Sequence, residues 1–121
     1  MASSVTLVES TGKGLQKIKA TIIAHTDGVV TGVATSGTYN GKVERLITDP
    51  DGSSAPSADW DLTITDDDGY DVLAGAGTDR HTSNTEQVLG TSLGIVKSST
   101  LTVAASGMGS GGKAVVYLYL R

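Results

Sequence analysis

Four groups of residues have types and spacings that could do chemistry. Gly107–Lys113 (GMGSGGK) fits the first seven positions of the phosphate-binding P-loop pattern. That loop needs a hydroxyl residue next, to hold magnesium, and a helix whose N-terminus faces the phosphates. Ala114 stands at the hydroxyl position and the residues after it alternate like a strand, so the expectation is a hairpin loop. Asp66-Asp67-Asp68-Gly69 invites a calcium reading. An EF-hand loop needs oxygen ligands at alternating positions and a bidentate Glu six residues after its glycine. Here Ile64 falls at the first ligand position and Gly75 where the Glu should be, which excludes it. The segment reads as a tight acidic turn, with a surface cation shared by Asp66, Asp68 and Asp71 as the alternative. His25 and His81 are the only histidines and have no metal-ligand spacing, and no GxSxG elbow accompanies them. No catalytic residue, cofactor or metal ligand is therefore expected. Trp60, the single tryptophan, falls on the apolar face of an alternating stretch and is expected in the core.

The elements that must position these groups are strands. Leu15–Ala24 places Ile18, Ala20, Ile22 and Ala24 on one face and Lys17, Lys19 and Thr21 on the other. Val29–Thr35 and Lys42–Thr48 read as further strands, the second stopping before Pro50. Gly37–Gly41 reads as a turn between them. Asp49–Ala58 is a loop with two prolines and an Asp-Gly step. Trp60, Leu62 and Ile64 then alternate with Asp61, Thr63 and Thr65, the turn follows, and Tyr70–Leu73 is expected to return as a strand. Ala74–Gly94 has no firm period, so an interaction loop or a short element is expected there. Ser99–Ala105 and Lys113–Arg121 are the last strands, the final one apolar on both faces: Ala114, Val116, Leu118 and Leu120 against Val115, Tyr117 and Tyr119. Seven or eight short antiparallel strands with frequent turns and no helix predict an all-β, single-domain β-sandwich, with a jelly roll as one form of it. Residues 1–14 are expected to form an N-terminal arm or edge strand, and residues 15–121 the sandwich.

Composition points the same way. In 121 residues there are 16 glycines and no cysteine, so helices are disfavoured and neither disulfides nor thiolate metal sites can form. The charge balance is −4, and nine of the ten aspartates lie between Asp49 and Asp79, a window without Lys or Arg. A net acidic chain argues against nucleic acid as the main partner. The uneven distribution suits a charged partner or a head-to-tail neighbour, although aspartates also collect wherever turns do. Met1-Ala2-Ser3-Ser4 opens into polar alternation without a signal-peptide pattern, and no apolar run reaches membrane length. A soluble, cytoplasmically made product without a membrane partner is the expectation.

One block is distinctive: a proline loop followed by ADWDLTITDDDGYDVLAGAGTDR. It resembles a block found in small β-rich virion proteins of tailed bacteriophages. The resemblance is carried by Pro56, Asp59, Trp60, Asp61, Thr63, Thr65, Asp66, Gly69, Asp71, Val72, Leu73, Gly75, Gly77, Asp79 and Arg80, with Thr85-Glu86-Gln87-Val88 and the C-terminal strand also similar. It implies a structural role without enzymatic activity: capsid decoration (cement), stapling neighbouring major capsid subunits on the outer capsid surface, or a head–tail connection component. A receptor- or carbohydrate-binding module and a small hydrolase are the readings from other classes. The first would need exposed aromatics in a groove; the second would need a histidine beside a Ser and an Asp.

The expected partners are the major capsid protein and further copies of the chain itself, a trimer being favoured. Residues 2–9 and 74–94 are the expected capsid contacts, with Val5, Leu7, Val8, Arg80, His81 and Glu86 as named candidates. Val115, Tyr117 and Tyr119 are the candidates for self-association, and Asp66–Asp71 is expected as an exposed acidic tip.

Overall fold

The alternation of Leu15–Ala24 becomes one of nine strands, ending at Ile23, in the computed structural model, which describes residues 2–12 and 14–121. In chain order these are β1 (Ser4–Gly12), β2 (Leu15–Ile23), β3 (Val30–Ala34), β4 (Tyr39–Pro50), β5 (Asp61–Thr65), β6 (Glu86–Leu89), β7 (Ile95–Ser99), β8 (Thr102–Ser106) and β9 (Lys113–Leu120), with a 3₁₀ turn at Gly90–Ser92. The larger, six-stranded sheet runs β1-β2-β9-β4-β6, with β7 pairing the start of β4; the smaller runs β3-β8-β5. All pairings are antiparallel. The chain is an all-β sandwich, with one strand more than the upper expectation. Among the described residues no helix is long and apolar enough to cross a membrane.

One hydrophobic cluster fills the space between the sheets. Ile18, Ile22, Leu46, Val116, Leu118 and Leu120 enter it from the large sheet, and Val30, Leu62, Ile64 and Val103 from the small one. Trp60 is 0% exposed, and its Nε1–H donates to the His81 carbonyl at 3.1 Å, so its one polar atom is satisfied inside. β1 pairs with β2 along its whole length, from Ser4↔Ile23 to Gly12↔Leu15. Its inward Glu9 reaches across to the β3–β4 connection, so the N-terminal segment is an edge strand of the sandwich. Met1 and Lys13, within the expected arm and its turn, lie outside the described residues.

Several boundaries differ from expectation for local reasons. β4 begins at Tyr39, inside the expected Gly37–Gly41 turn, and runs on through Pro50. The Asp51 N–H donates to the Lys113 carbonyl; alternation turns the Pro50 nitrogen away from β9, on a side β6 no longer covers, so the missing donor costs no ladder bond. The expected strand over Ser99–Ala105 is split, because Ser99 ends β7 while Thr102 begins β8. The return strand at Tyr70–Leu73 does not form. Only an isolated bridge, Thr65↔Asp71, remains, because the Asp71 carboxylate accepts the backbone N–H groups of Ile64 (3.2 Å), Leu73 (3.1 Å) and Gly75 (3.0 Å). These bonds curl the chain into successive turns, with Ala74 held at φ +51°.

Asp71→Ala is accordingly expected to lower the unfolding free energy by about 2 kcal/mol. Asp67→Ala, at an exposed position, should change it by less than about 0.5 kcal/mol. Urea titration of both variants checks this, and equal effects would contradict the role given to Asp71.

Candidate interaction surface

Because β9 alternates, its even-numbered residues Ala114–Leu120 are buried and its odd-numbered residues Lys113–Tyr119 are half-exposed on the outside of the large sheet. Strand register sets their neighbours. Across the middle of this face, one row reads Val8, Lys19, Tyr117, Ile47, Gln87, and the next reads Ser10, Lys17, Tyr119, Arg45, Leu89. Beyond Tyr117, a third row reads Thr6, Thr21, Val115, Asp49. Side chains in one row on one face lie close enough to interact.

Two tyrosine rings therefore sit among three cations. Lys17 Nζ lies 5.4 Å from the Tyr117 ring centre and 5.8 Å from that of Tyr119. Lys19 Nζ lies 5.9 Å from Tyr117, and the Arg45 guanidinium lies 4.9 Å from Tyr119. At such exposed sites each contact contributes about 0.5–1 kcal/mol. None of these cations belongs to an ion pair among the described residues; Arg45 makes a long 3.4 Å bond to Gln87 Oε1. Val8, 55% exposed, and Leu89, 64% exposed, add apolar area at opposite margins. The result is an aromatic and cationic surface on a protein of net negative charge.

Comparison of the chain with protein-family models, with curated proteins and with solved structures finds no match.

The structure brings Val115, Tyr117, Tyr119 and Val8 onto this one face. Val5 and Leu7 point to its other side, half-buried against the core. Arg80, His81 and Glu86 come together elsewhere. Arg80 Nη1 lies 3.7 Å from Glu86 Oε1, which also accepts the His81 N–H at 2.8 Å, while the Arg80 N–H bonds to the Trp60 carbonyl at 2.7 Å. This clasp closes over Trp60. Lys17, Lys19 and Arg45 were not singled out by sequence reasoning. The outward phase of the two lysines was visible, but their place beside the tyrosines depends on β2 and β4 both flanking β9.

The other chemical candidates resolve as local structure. His81 Nδ1 accepts the N–H groups of Ser83 (3.0 Å) and Asn84 (2.8 Å), closing a turn. His25 Nδ1 lies 3.3 Å from Asp27 Oδ1, and both line a shallow recess with Ser3. The hydroxyls nearest the histidine ring nitrogens among the described residues are Thr26 Oγ1, 3.2 Å from His25 Nδ1, and Ser83 Oγ, 3.4 Å from His81 Nδ1, while the Ser3 hydroxyl oxygen accepts the Thr31 N–H at 3.0 Å. In the GMGSGGK loop, Met108 is buried and its N–H donates to Gly28, while the Gly111 and Gly112 N–H groups donate to His25 and Gly109. These three backbone donors of the loop are already engaged. Asp66 Oδ1 accepts the N–H groups of Asp68 (3.0 Å) and Tyr70 (2.9 Å), and Gly69 takes φ +85°. The carboxylates of Asp66, Asp67 and Asp68 approach one another because that turn gathers them, whereas Asp71 is committed to the backbone.

Proposed function

We propose that this chain is a non-enzymatic structural protein of a tailed-bacteriophage virion, of the capsid-decoration (cement) type. It would bind the outer surface of the shell and staple neighbouring major capsid subunits, itself assembled as a homo-oligomer with three copies favoured. The observation that carries the reading is the outer face of the large sheet. Tyr117, Tyr119 and Arg45, flanked by Val8, Ile47 and Leu89, are the residue types that dominate protein–protein contacts, set on a rigid sheet. The likeness of residues 49–80 to small virion proteins supplies the particular setting. Assembly through this face would present several copies of the expected shell contacts in residues 74–94 at once, so that each site on a repeating shell needs little affinity. The buried Trp60 leaves a sugar-binding reading without its one tryptophan.

Quantitative mass spectrometry of purified virions against the major capsid protein tests this. About one copy per capsid subunit is the expected result. A dozen or fewer copies per particle would overturn decoration and move the protein to the neck or tail, and absence from virions would overturn the virion reading altogether.

A further inference from the structure

Among the described residues none of the three cations on the tyrosine face belongs to an ion pair, and Asp49 at its margin accepts the Thr85 hydroxyl; the same chain carries an exposed acidic, aromatic turn elsewhere. Asp67, Asp68, Gly69 and Tyr70 are all exposed at the end of β5. Tyr70, at 74%, is the most exposed of the large apolar and aromatic side chains. The turn is not loose: Asp66 caps it through two backbone N–H groups, and the Asp67 N–H donates to Ser99 Oγ at 2.9 Å. An aromatic side chain displayed beside two carboxylates on a fixed turn complements a face of two tyrosines and three cations.

We infer that the tyrosine face of one copy receives the Asp67–Tyr70 turn of a second copy, so that the chain self-associates head to tail. Asp67 and Asp68 meet Lys17, Lys19 and Arg45, and Tyr70 covers the apolar part of the face around Tyr117 and Tyr119. Single-stranded nucleic acid would also match cations and aromatic rings. However, the lysines and the arginine stand close to the rings that bases would stack on, and the chain as a whole is acidic. A contact between two different surfaces leaves one of each free on every added copy, so it ends only by closing into a ring. This inference rests on reading the face as a self-association surface and is independent of the virion assignment.

The test uses the purified full chain and two variants at exposed or half-exposed positions. Lys17→Glu/Lys19→Glu spoils the face and keeps the turn; Asp67→Asn/Asp68→Asn/Tyr70→Ser spoils the turn and keeps the face, with Asp66 still capping it. Circular dichroism and melting temperature confirm that both fold. By light scattering after size exclusion, the wild-type chain is expected as a closed oligomer whose dissociation constant rises at least tenfold between low and high salt. Each variant alone is expected as a monomer, and an equal mixture should give a one-to-one heterodimer, because one intact face then meets one intact turn. A monomeric wild-type chain, a turn variant that assembles like wild type, or a mixture that stays monomeric would each overturn the inference. The capsid copy number is read separately, so the failure of either proposal is distinguishable from that of the other.

Discussion

Trp60→Ala is expected to destabilise the domain by about 4 kcal/mol, the upper range for deleting a buried aromatic side chain. The ring is fully enclosed, and its loss opens a void between the sheets and removes the indole donor to the His81 carbonyl. The main-chain bridge from the Arg80 N–H to the carbonyl of residue 60 is kept in the variant, so the loss is that of the ring and its donor. For a domain of this size the melting temperature should fall by roughly 12–20 °C. Trp60→Phe, which keeps most of the volume and loses the hydrogen bond, should cost about 1–2 kcal/mol. Calorimetry checks both, and an alanine variant melting within a few degrees of wild type would contradict the core position assigned to the ring. Because Trp60 is the sole tryptophan, the red shift of its emission on unfolding reports the transition in the parent chain.

The second large effect belongs to Glu9. Its carboxylate accepts the Tyr39 hydroxyl at 2.6 Å, the Ser36 hydroxyl at 2.8 Å, and the N–H groups of Ser36 and Gly37 at 3.0 Å each. Burial alone would raise its pKa, but the bonds from Tyr39, Ser36 and Gly37 outweigh it and hold the group down at about 2. Burial, together with the adjacent carboxylate, pushes the Tyr39 phenol well above its ordinary range. A carboxyl group whose folded pKa lies below its unfolded value stabilises the fold fully at pH values above the unfolded pKa. That contribution declines as the pH falls from the ordinary carboxylate range through about 2. Glu9→Ala should therefore lose about 2 kcal/mol at neutral pH, and the gap between variant and wild type should narrow as the pH approaches 2. Melting curves from pH 7 to pH 2 measure it. A gap that does not change with pH would show that the carboxylate charge contributes nothing to this anchor.

Alternation made β2, β5 and β9 visible in the chain, since Ile18–Ala24, Trp60–Ile64 and Ala114–Leu120 each keep one apolar face. The turn at Asp66–Gly69 was legible for a local reason: an aspartate followed by a glycine able to take positive φ. Less was visible where non-local partners decide. β6 has only four residues and exists because β4 offers it an edge. The break between β7 and β8 falls where the Leu101 side chain is buried and its N–H donates to the Thr35 hydroxyl oxygen at 3.0 Å. The curl after Tyr70 depends on one carboxylate reaching three amides. The candidate surface was half visible. Val115, Tyr117 and Tyr119 stood out as a second apolar face, but the cations that give the face its character come from β2 and β4. Their arrival beside β9 is a matter of topology that no local pattern encodes.

That topology governs how the protein comes into being. β9 lies between β2 and β4, in the interior of the large sheet, yet it is made after the other eight strands. While a ribosome is still supplying it, the β1–β2 hairpin and β4 have no bridge between them, and both leave an open ladder edge beside unfilled core. The sandwich therefore closes after synthesis of its last strand, in a step dominated by long-range pairing and correspondingly slow. A chain interrupted in the glycine-rich loop before Lys113 would present a ready slot, and a separate peptide bearing residues 113–121 would complete the fold from outside.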